Sequence, residues 1–122
     1  MNWLSITAVF LGGGVGSLLR YGMSALFRSL EVQTLALATI SSNVIASALL
    51  GIVVFRINPS VNSPLFLFLA VGLCGGFSTF STFSLETLQF FRNGQIMWGV
   101  ANILVTVIVC VLIMYILSRS NP

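Results

Sequence analysis

Between Gly72 and Ser84 the chain reads Gly-Leu-Cys-Gly-Gly-Phe-Ser-Thr-Phe-Ser-Thr-Phe-Ser, inside an otherwise apolar run. Gly75 and Gly76 sit near the middle of that run, and hydroxyl and aromatic side chains alternate after them. Paired glycines lower helix propensity and mark kinks. Serine and threonine can satisfy backbone groups that an interruption frees. The chemistry on offer is ion coordination. Freed carbonyls suit a cation, and a helix that restarts after the interruption presents its N-terminus to an anion. Phe77, Phe80 and Phe83 recur at a helical spacing that places them along one side. In an ordinary membrane helix such a stripe packs or faces lipid. Interleaved with Ser78, Thr79, Ser81, Thr82 and Ser84, it also presents ring edges, whose positive rim can solvate an anion without a fixed charge.

Two polar stripes accompany this segment. Thr39, Asn43, Ser47 and Gly51 follow one another at intervals of one helical turn, as do Asn102, Thr106 and Cys110. An asparagine inside a membrane span is costly unless its amide is paired or wet. Each stripe fits interhelical packing and the lining of a polar path equally well. Glu86 is the only acid within a predicted span, and Arg20 is the matching basic residue; both suit aqueous vestibules at the ends of such a path. Gly12 and Gly16 form a small-xxx-small pair that reads as close helix packing. Cys74 and Cys110 fall in apolar segments and read as small hydrophobes rather than as a disulfide.

The elements that position these residues follow from composition. Hydrophobic residues make up 57% of the 122, and charged residues 6%. Soluble domains carry about a quarter charged residues, so most of this surface must face lipid. Four apolar segments, Trp3–Phe27, Leu35–Phe55, Leu65–Phe91 and Ile96–Leu117, are each long enough to span a bilayer. In lipid they must be helical, because backbone groups need internal partners. The breaks, Arg28–Gln33, Arg56–Pro64 and Arg92–Gln95, are polar. The apolar start outruns the h-region of a signal peptide and has no basic n-region. Residues 1–122 therefore form one domain. With no His, Asp or Lys, neither a Ser-His-Asp triad, a histidine metal site nor a lysine Schiff base can form, so the chain is not expected to be an enzyme. The five arginines form no basic run, so no nucleic acid is expected as a partner. In a four-span topology Arg56 and Arg119 share the face of the N-terminus, while Arg28 and Arg92 share the other. That balance gives the positive-inside rule almost no vote. Insertion in both orientations fits it, as does a single orientation set by other features. Four helices enclose little space, so a pore would arise between subunits.

These residues resemble the CrcB/Fluc family of fluoride channels over nearly the whole chain. The run from Gly12 through Gly16 to Arg20 and Tyr21 is similar to the family's first-helix motif, and Thr39 through Asn43 to Gly51 to its second. The run from Gly75 to Phe83 is similar to its third-helix signature, which is specific. Ala38 and Ala46 stand where the family commonly has glycine, and Asn102 where it has tyrosine. The resemblance implies an all-α integral membrane fold, with four transmembrane helices and a broken third helix, assembled as an antiparallel dual-topology homodimer with two fluoride pores. It implies a structural Na⁺ at the dimer centre, held by the backbone carbonyls of Gly75 and Ser78. It implies ion conduction past Asn43, Phe80, Ser81, Thr82, Phe83 and Thr106, with Arg20 and Glu86 bordering vestibules. The implied role is passive export of toxic fluoride across a bacterial inner membrane. The alternative is a small multidrug-type proton-coupled transporter, but such proteins use an acid deep in the first helix and Trp3–Phe27 contains none. A non-conducting scaffold subunit would explain the glycines but not the Asn, Ser and Thr stripes.

Overall fold

The computed structural model describes residues 1–30 and 36–120. Glu31, Gln33 and Leu35, which fall in the first polar break and at the start of the second apolar segment, lie outside the described residues. The described chain is helical throughout, in four spans long and apolar enough to cross a bilayer. The chain is thus a multi-pass membrane protein. The first span is α1, Trp3–Ser29. The second is α2, Leu37–Ile57, whose last turn, Val53–Ile57, is a wide π turn. The third comprises α3 (64–77), with a π stretch over Leu67–Cys74, and α4, Phe80–Arg92. The fourth is α5, Ile96–Arg119.

The helix starts and stops have local causes. Asn2 Oδ1 accepts from Ser5 N–H at 2.8 Å and caps α1. Ser63 Oγ accepts from Phe66 N–H at 3.1 Å, with Pro64 at the first helical position, where its missing N–H costs nothing. At the end of α4, Gly94 takes φ +75°, Gln95 N–H reaches Phe90 C=O at 2.8 Å and Gly94 N–H reaches Phe91 C=O at 3.2 Å. That is a Schellman stop, and it turns the chain into α5 within a few residues. The spans overrun the apolar segments by a residue or two, to Ser29, Ile57, Arg92 and Arg119, because a helix can continue into the interface after its apolar stretch ends.

Packing runs in two pairs, α1 against α3 and α2 against α5. Glycine makes the first pair. A Cβ on Gly76 would lie 2.5 Å from Gly13 O, and one on Gly72 2.8 Å from Gly12 Cα. Cβ atoms on Gly12 and Gly16 would collide with the carbonyl oxygens of Phe68 and Leu73. The two backbones are therefore in direct contact, so Gly12 and Gly16 serve packing. Burial is inverted relative to a soluble protein. Leu18, Trp98, Ile108 and Leu112 are exposed, whereas Thr39, Ser42, Asn43, Thr87, Asn102 and Thr106 are buried. An apolar exterior around a polar interior is what a lipid solvent selects.

Candidate functional site

Among the interior polar residues, Asn43 of α2 meets the chain at the point where α3 gives way to α4. Gly75 (φ −63°, ψ −38°) is helical, and the helix runs on through Gly76 to Phe77. The extended residues are Ser78 (φ −78°, ψ 157°) and Thr79 (φ −152°, ψ 114°). The interruption therefore does not lie at the glycine pair, where the sequence places it. Gly76 is spent on contact with α1, whereas a Cβ on Gly75 would meet nothing within 4 Å, and the departure from helix comes at Ser78 and Thr79, where α2 reaches the chain.

Asn43 imposes it. Its Oδ1 accepts from Thr79 N–H at 2.7 Å, and its Nδ2 donates to Thr79 C=O at 3.3 Å. One amide thereby takes both backbone groups of Thr79, as a neighbouring strand would, and keeps one N–H to spare. Thr79 then caps α4: its Oγ1 accepts from Thr82 N–H at 3.2 Å. The same hydroxyl donates to Thr82 Oγ1 at 3.1 Å and lies 3.3 Å from Ser81 Oγ. The hydroxyl proton of Thr82 thus remains free to donate elsewhere.

The freed carbonyls are treated unequally. Gly76 C=O accepts from Arg20 Nε at 3.2 Å, so α1 reaches across to satisfy one of them. Among the described residues, the carbonyls of Gly75 and Ser78 accept no hydrogen bond, because Thr79 N–H has gone to Asn43 and Thr82 N–H to Thr79 Oγ1. Gly75 is exposed on the protomer and Ser78 half-buried. Two neutral oxygens of this kind have the donor chemistry that suits a hard monovalent cation such as Na⁺. Among the described residues no cluster of His, Cys, Asp or Glu competes as a metal site.

The aromatic stripe divides. Phe77 is buried before the interruption, beside Gly16 of α1, and serves packing. Phe80 and Phe83 open α4 with ring centroids 5.6 Å apart and planes tilted by 41°. Phe83 is 7% exposed and Phe80 79%, so the second ring projects from the protomer. Ser81 and Ser84 are exposed on the same stretch. One turn further on, Thr39 Oγ1 donates to Glu86 Oε1 at 2.9 Å, and Glu86 is half-buried.

Sequence reasoning left the role of Asn102 open, and the structure places it. Asn102 Nδ2 donates to Thr87 Oγ1 at 2.9 Å, and Thr87 Oγ1 donates to Phe83 C=O at 2.7 Å. Asn102 is 5% exposed, so α5 is tied to the carbonyl of an aromatic site residue through buried bonds. Thr87 had no signal of its own, being one more threonine on a mixed helix. Four buried polar atoms have no partner among the described residues: Ser42 Oγ, Glu86 Oε2, Asn102 Oδ1 and Thr106 Oγ1. Each costs about 1–3 kcal/mol if left dry. Placed on α2, α4 and α5, they mark a polar interior with unspent hydrogen-bonding capacity.

Comparison with known proteins places the chain in a family. The model of the family described as CrcB-like protein, Camphor Resistance (CrcB), matches residues 7–117. A protein of Ruminiclostridium cellulolyticum is 39% identical over 110 residues, covering 88% of this chain and 84% of its own. One of Gloeothece citriformis is 43% identical over 93 residues, covering 75% of this chain and 76% of its own. One of Paraburkholderia phymatum is 41% identical over 107 residues, covering 86% of this chain and 84% of its own. Each of these relatives is named a fluoride-specific ion channel, FluC.

Proposed function

This chain belongs to the CrcB-like protein family, and from that membership we propose that it is a fluoride-specific ion channel of the plasma membrane, conducting fluoride passively down its gradient. The observation that carries the reading is the Asn43–Thr79 clamp, which holds a segment rich in hydroxyls and aromatic edges open at the depth of a membrane span. Lipid-exposed backbone cannot be irregular at that depth, so the segment must line a wet path or face protein. Phe80, Ser81 and Gly75 are exposed on the single protomer, which supports a second copy covering them. We therefore place the pores in an antiparallel dual-topology homodimer, with the third span functionally broken at Ser78 and Thr79.

The difficulty for such a channel is dehydration. Fluoride is small and strongly hydrated, so donors must replace its water, yet no site can hold it too tightly to leave. The spare Asn43 N–H and the free hydroxyl of Thr82 are neutral donors, as is the unpartnered hydroxyl of Thr106. The positive edges of Phe80 and Phe83 add solvation without a fixed charge. Arg20 spends its Nε on Gly76 C=O and keeps its remaining N–H groups for a vestibule. A structural Na⁺ would be held by the carbonyls of Gly75 and Ser78, where it would supply fixed positive charge and tie the two copies together. The transporter alternative is not favoured: α1 contains no acid to carry a proton.

Efflux from liposomes holding purified protein tests the reading. Rapid fluoride release with little chloride release is expected. Equal rates for the two anions, or no release by folded protein, would refute it.

A further inference from the structure

Two of the five arginines meet at one end of the molecule, far from the interruption. Arg56 lies in the π turn that ends α2, a turn closed by Asn58 N–H on Val53 C=O at 2.9 Å. The rise of a helix puts it roughly 20 Å from Asn43. Arg56 Nη2 donates to Ser120 Oγ at 2.5 Å, which joins the ends of α2 and α5. Arg119, the neighbour of Ser120, donates from Nη1 to Tyr115 OH at 3.0 Å, and its guanidinium carbon lies 5.9 Å from the centre of that ring. Both arginines are exposed, and among the described residues neither meets a carboxylate.

Such a pair is poorly satisfied by its neutral neighbours and well suited to an anion. A guanidinium carries five N–H donors in a planar fork, and each of these spends one on a hydroxyl. The remaining donors match the geometry of phosphate, and the two charges repel each other until an anion lies between them. The level in the membrane narrows the choice of anion. Both arginines stand at the ends of apolar segments, after Phe55 and Leu117, where phospholipid headgroups lie. On the membrane side of the pair the surface is apolar, with Ile52, Val111, Tyr115 and Ile116 exposed. Acyl chains joined to the same phosphate cover that surface, so a lipid makes contacts that a free phosphate does not.

We propose that Arg56 and Arg119 bind the phosphate of an anionic phospholipid, with its acyl chains against the outer faces of α2 and α5. The lipid bridges the ends of the two helices beside the Arg56–Ser120 bond and holds the α2–α5 pair together. The site is independent of which ion the pore carries. Its ligand is a resident of the membrane, and its role is structural.

Native mass spectrometry of the purified full-length protein tests it, with phosphatidylglycerol and phosphatidylcholine of identical acyl chains as the probes. One phosphatidylglycerol per chain should be retained roughly tenfold to thirtyfold more tightly than phosphatidylcholine. The double variant Arg56→Gln, Arg119→Gln should bring that preference below about threefold. The double variant Arg28→Gln, Arg92→Gln removes the same charge from the other face and should keep the preference; its loss in both would be an effect of net charge and would overturn the site. Should the first double variant fail to fold, Arg119→Gln alone, whose bond to Tyr115 is exposed, should still lose at least about threefold. Thermal unfolding gives a second readout, in which phosphatidylglycerol raises the melting temperature of the wild type and not that of the Arg56, Arg119 variant. The proposal is overturned by equal retention of the two lipids, by unchanged retention in that variant, or by displacement of the lipid by millimolar inorganic phosphate, which would make the ligand a free phosphate.

Discussion

Replacing Asn43 by alanine removes the side chain that holds Thr79 out of the helix and, in the proposed channel, keeps the pathway open. In the native structure that amide satisfies Thr79 N–H at 2.7 Å and Thr79 C=O at 3.3 Å. Without it, two partly buried backbone groups lose their partners, at about 1–3 kcal/mol each. The chain can recover part of that loss only by returning Thr79 N–H to Gly75 C=O, which closes the helix and occupies a carbonyl assigned to the cation. A second loss falls on the ion. The spare amide N–H of Asn43 no longer faces the path, and a hydrogen bond to a charged group is worth about 1.5–3 kcal/mol. At 1.36 kcal/mol per factor of ten, that alone slows conduction by roughly 10-fold to 150-fold. The assay is fluoride efflux from liposomes at matched protein density, beside thermal unfolding in detergent. Asn43→Ala should lose both flux and stability. Asn43→Asp keeps an acceptor for Thr79 N–H but removes both amide donors, so it should lose flux while keeping more of the stability. The reasoning is refuted if Asn43→Ala conducts within about threefold of wild type, because neither loss then exists.

Other perturbations read separate parts of the structure. Phe80→Ile or Phe83→Ile removes a ring edge and keeps apolar bulk, so flux should fall at least about tenfold with the dimer intact on size exclusion; wild-type rates in both would return the rings to packing. Gly16→Val drives a side chain into the backbone of α3 and should destabilise by about 1–3 kcal/mol or more. Gly14→Val meets nothing within 4 Å and should stay within about 0.5 kcal/mol of wild type, so equal melting temperatures for the two would contradict the α1–α3 contact. Exchange of Na⁺ for a large organic cation during purification should weaken the dimer or its flux, and indifference would remove the cation from the Gly75 and Ser78 carbonyls.

The spans were legible in the sequence because apolar length is a direct requirement of the bilayer. Trp3 and Ile96 start helices where the apolar segments start, and the far ends move only into flanking Arg and Ser residues. The site was legible in its residue types but not in its geometry. Gly75 and Gly76 read as the interruption because glycine lowers helix propensity, yet both remain helical. The missing Cβ of Gly76 instead brings α1 into contact, which a single-segment reading cannot register, while a Cβ on Gly75 would meet nothing within 4 Å. The extended pair, Ser78 and Thr79, is set by a side chain 36 residues upstream. Arg20 on Gly76 C=O and Asn102 on Thr87 are likewise contacts between spans, and no local spacing encodes them.

The distribution of backbone partners around the interruption explains how neutral residues can divide two ionic tasks. A helix interrupted inside a membrane frees carbonyls and N–H groups together, and each costs energy if dry. Here two of the N–H groups are taken up, Thr79 N–H by Asn43 and Thr82 N–H by Thr79 Oγ1, while those of Phe80 and Ser81 have no partner among the described residues. Two of the carbonyls are also satisfied, Gly76 by Arg20 and Thr79 by Asn43, while those of Gly75, Phe77 and Ser78 are left among the described residues. The backbone therefore keeps unspent carbonyls before α4, which suit a cation, and unspent N–H groups in its first turn. Beside two unpartnered acceptors, Glu86 Oε2 and Asn102 Oδ1, the side chains hold a set of unspent donors: an amide N–H of Asn43 and the hydroxyls of Thr82, Thr106 and Ser42. That suits an anion. Because the unspent carbonyls and the unspent side-chain donors lie on different atoms, the proposed pathway would solvate fluoride without a buried arginine along it, and an anion held only by neutral dipoles would remain free to leave.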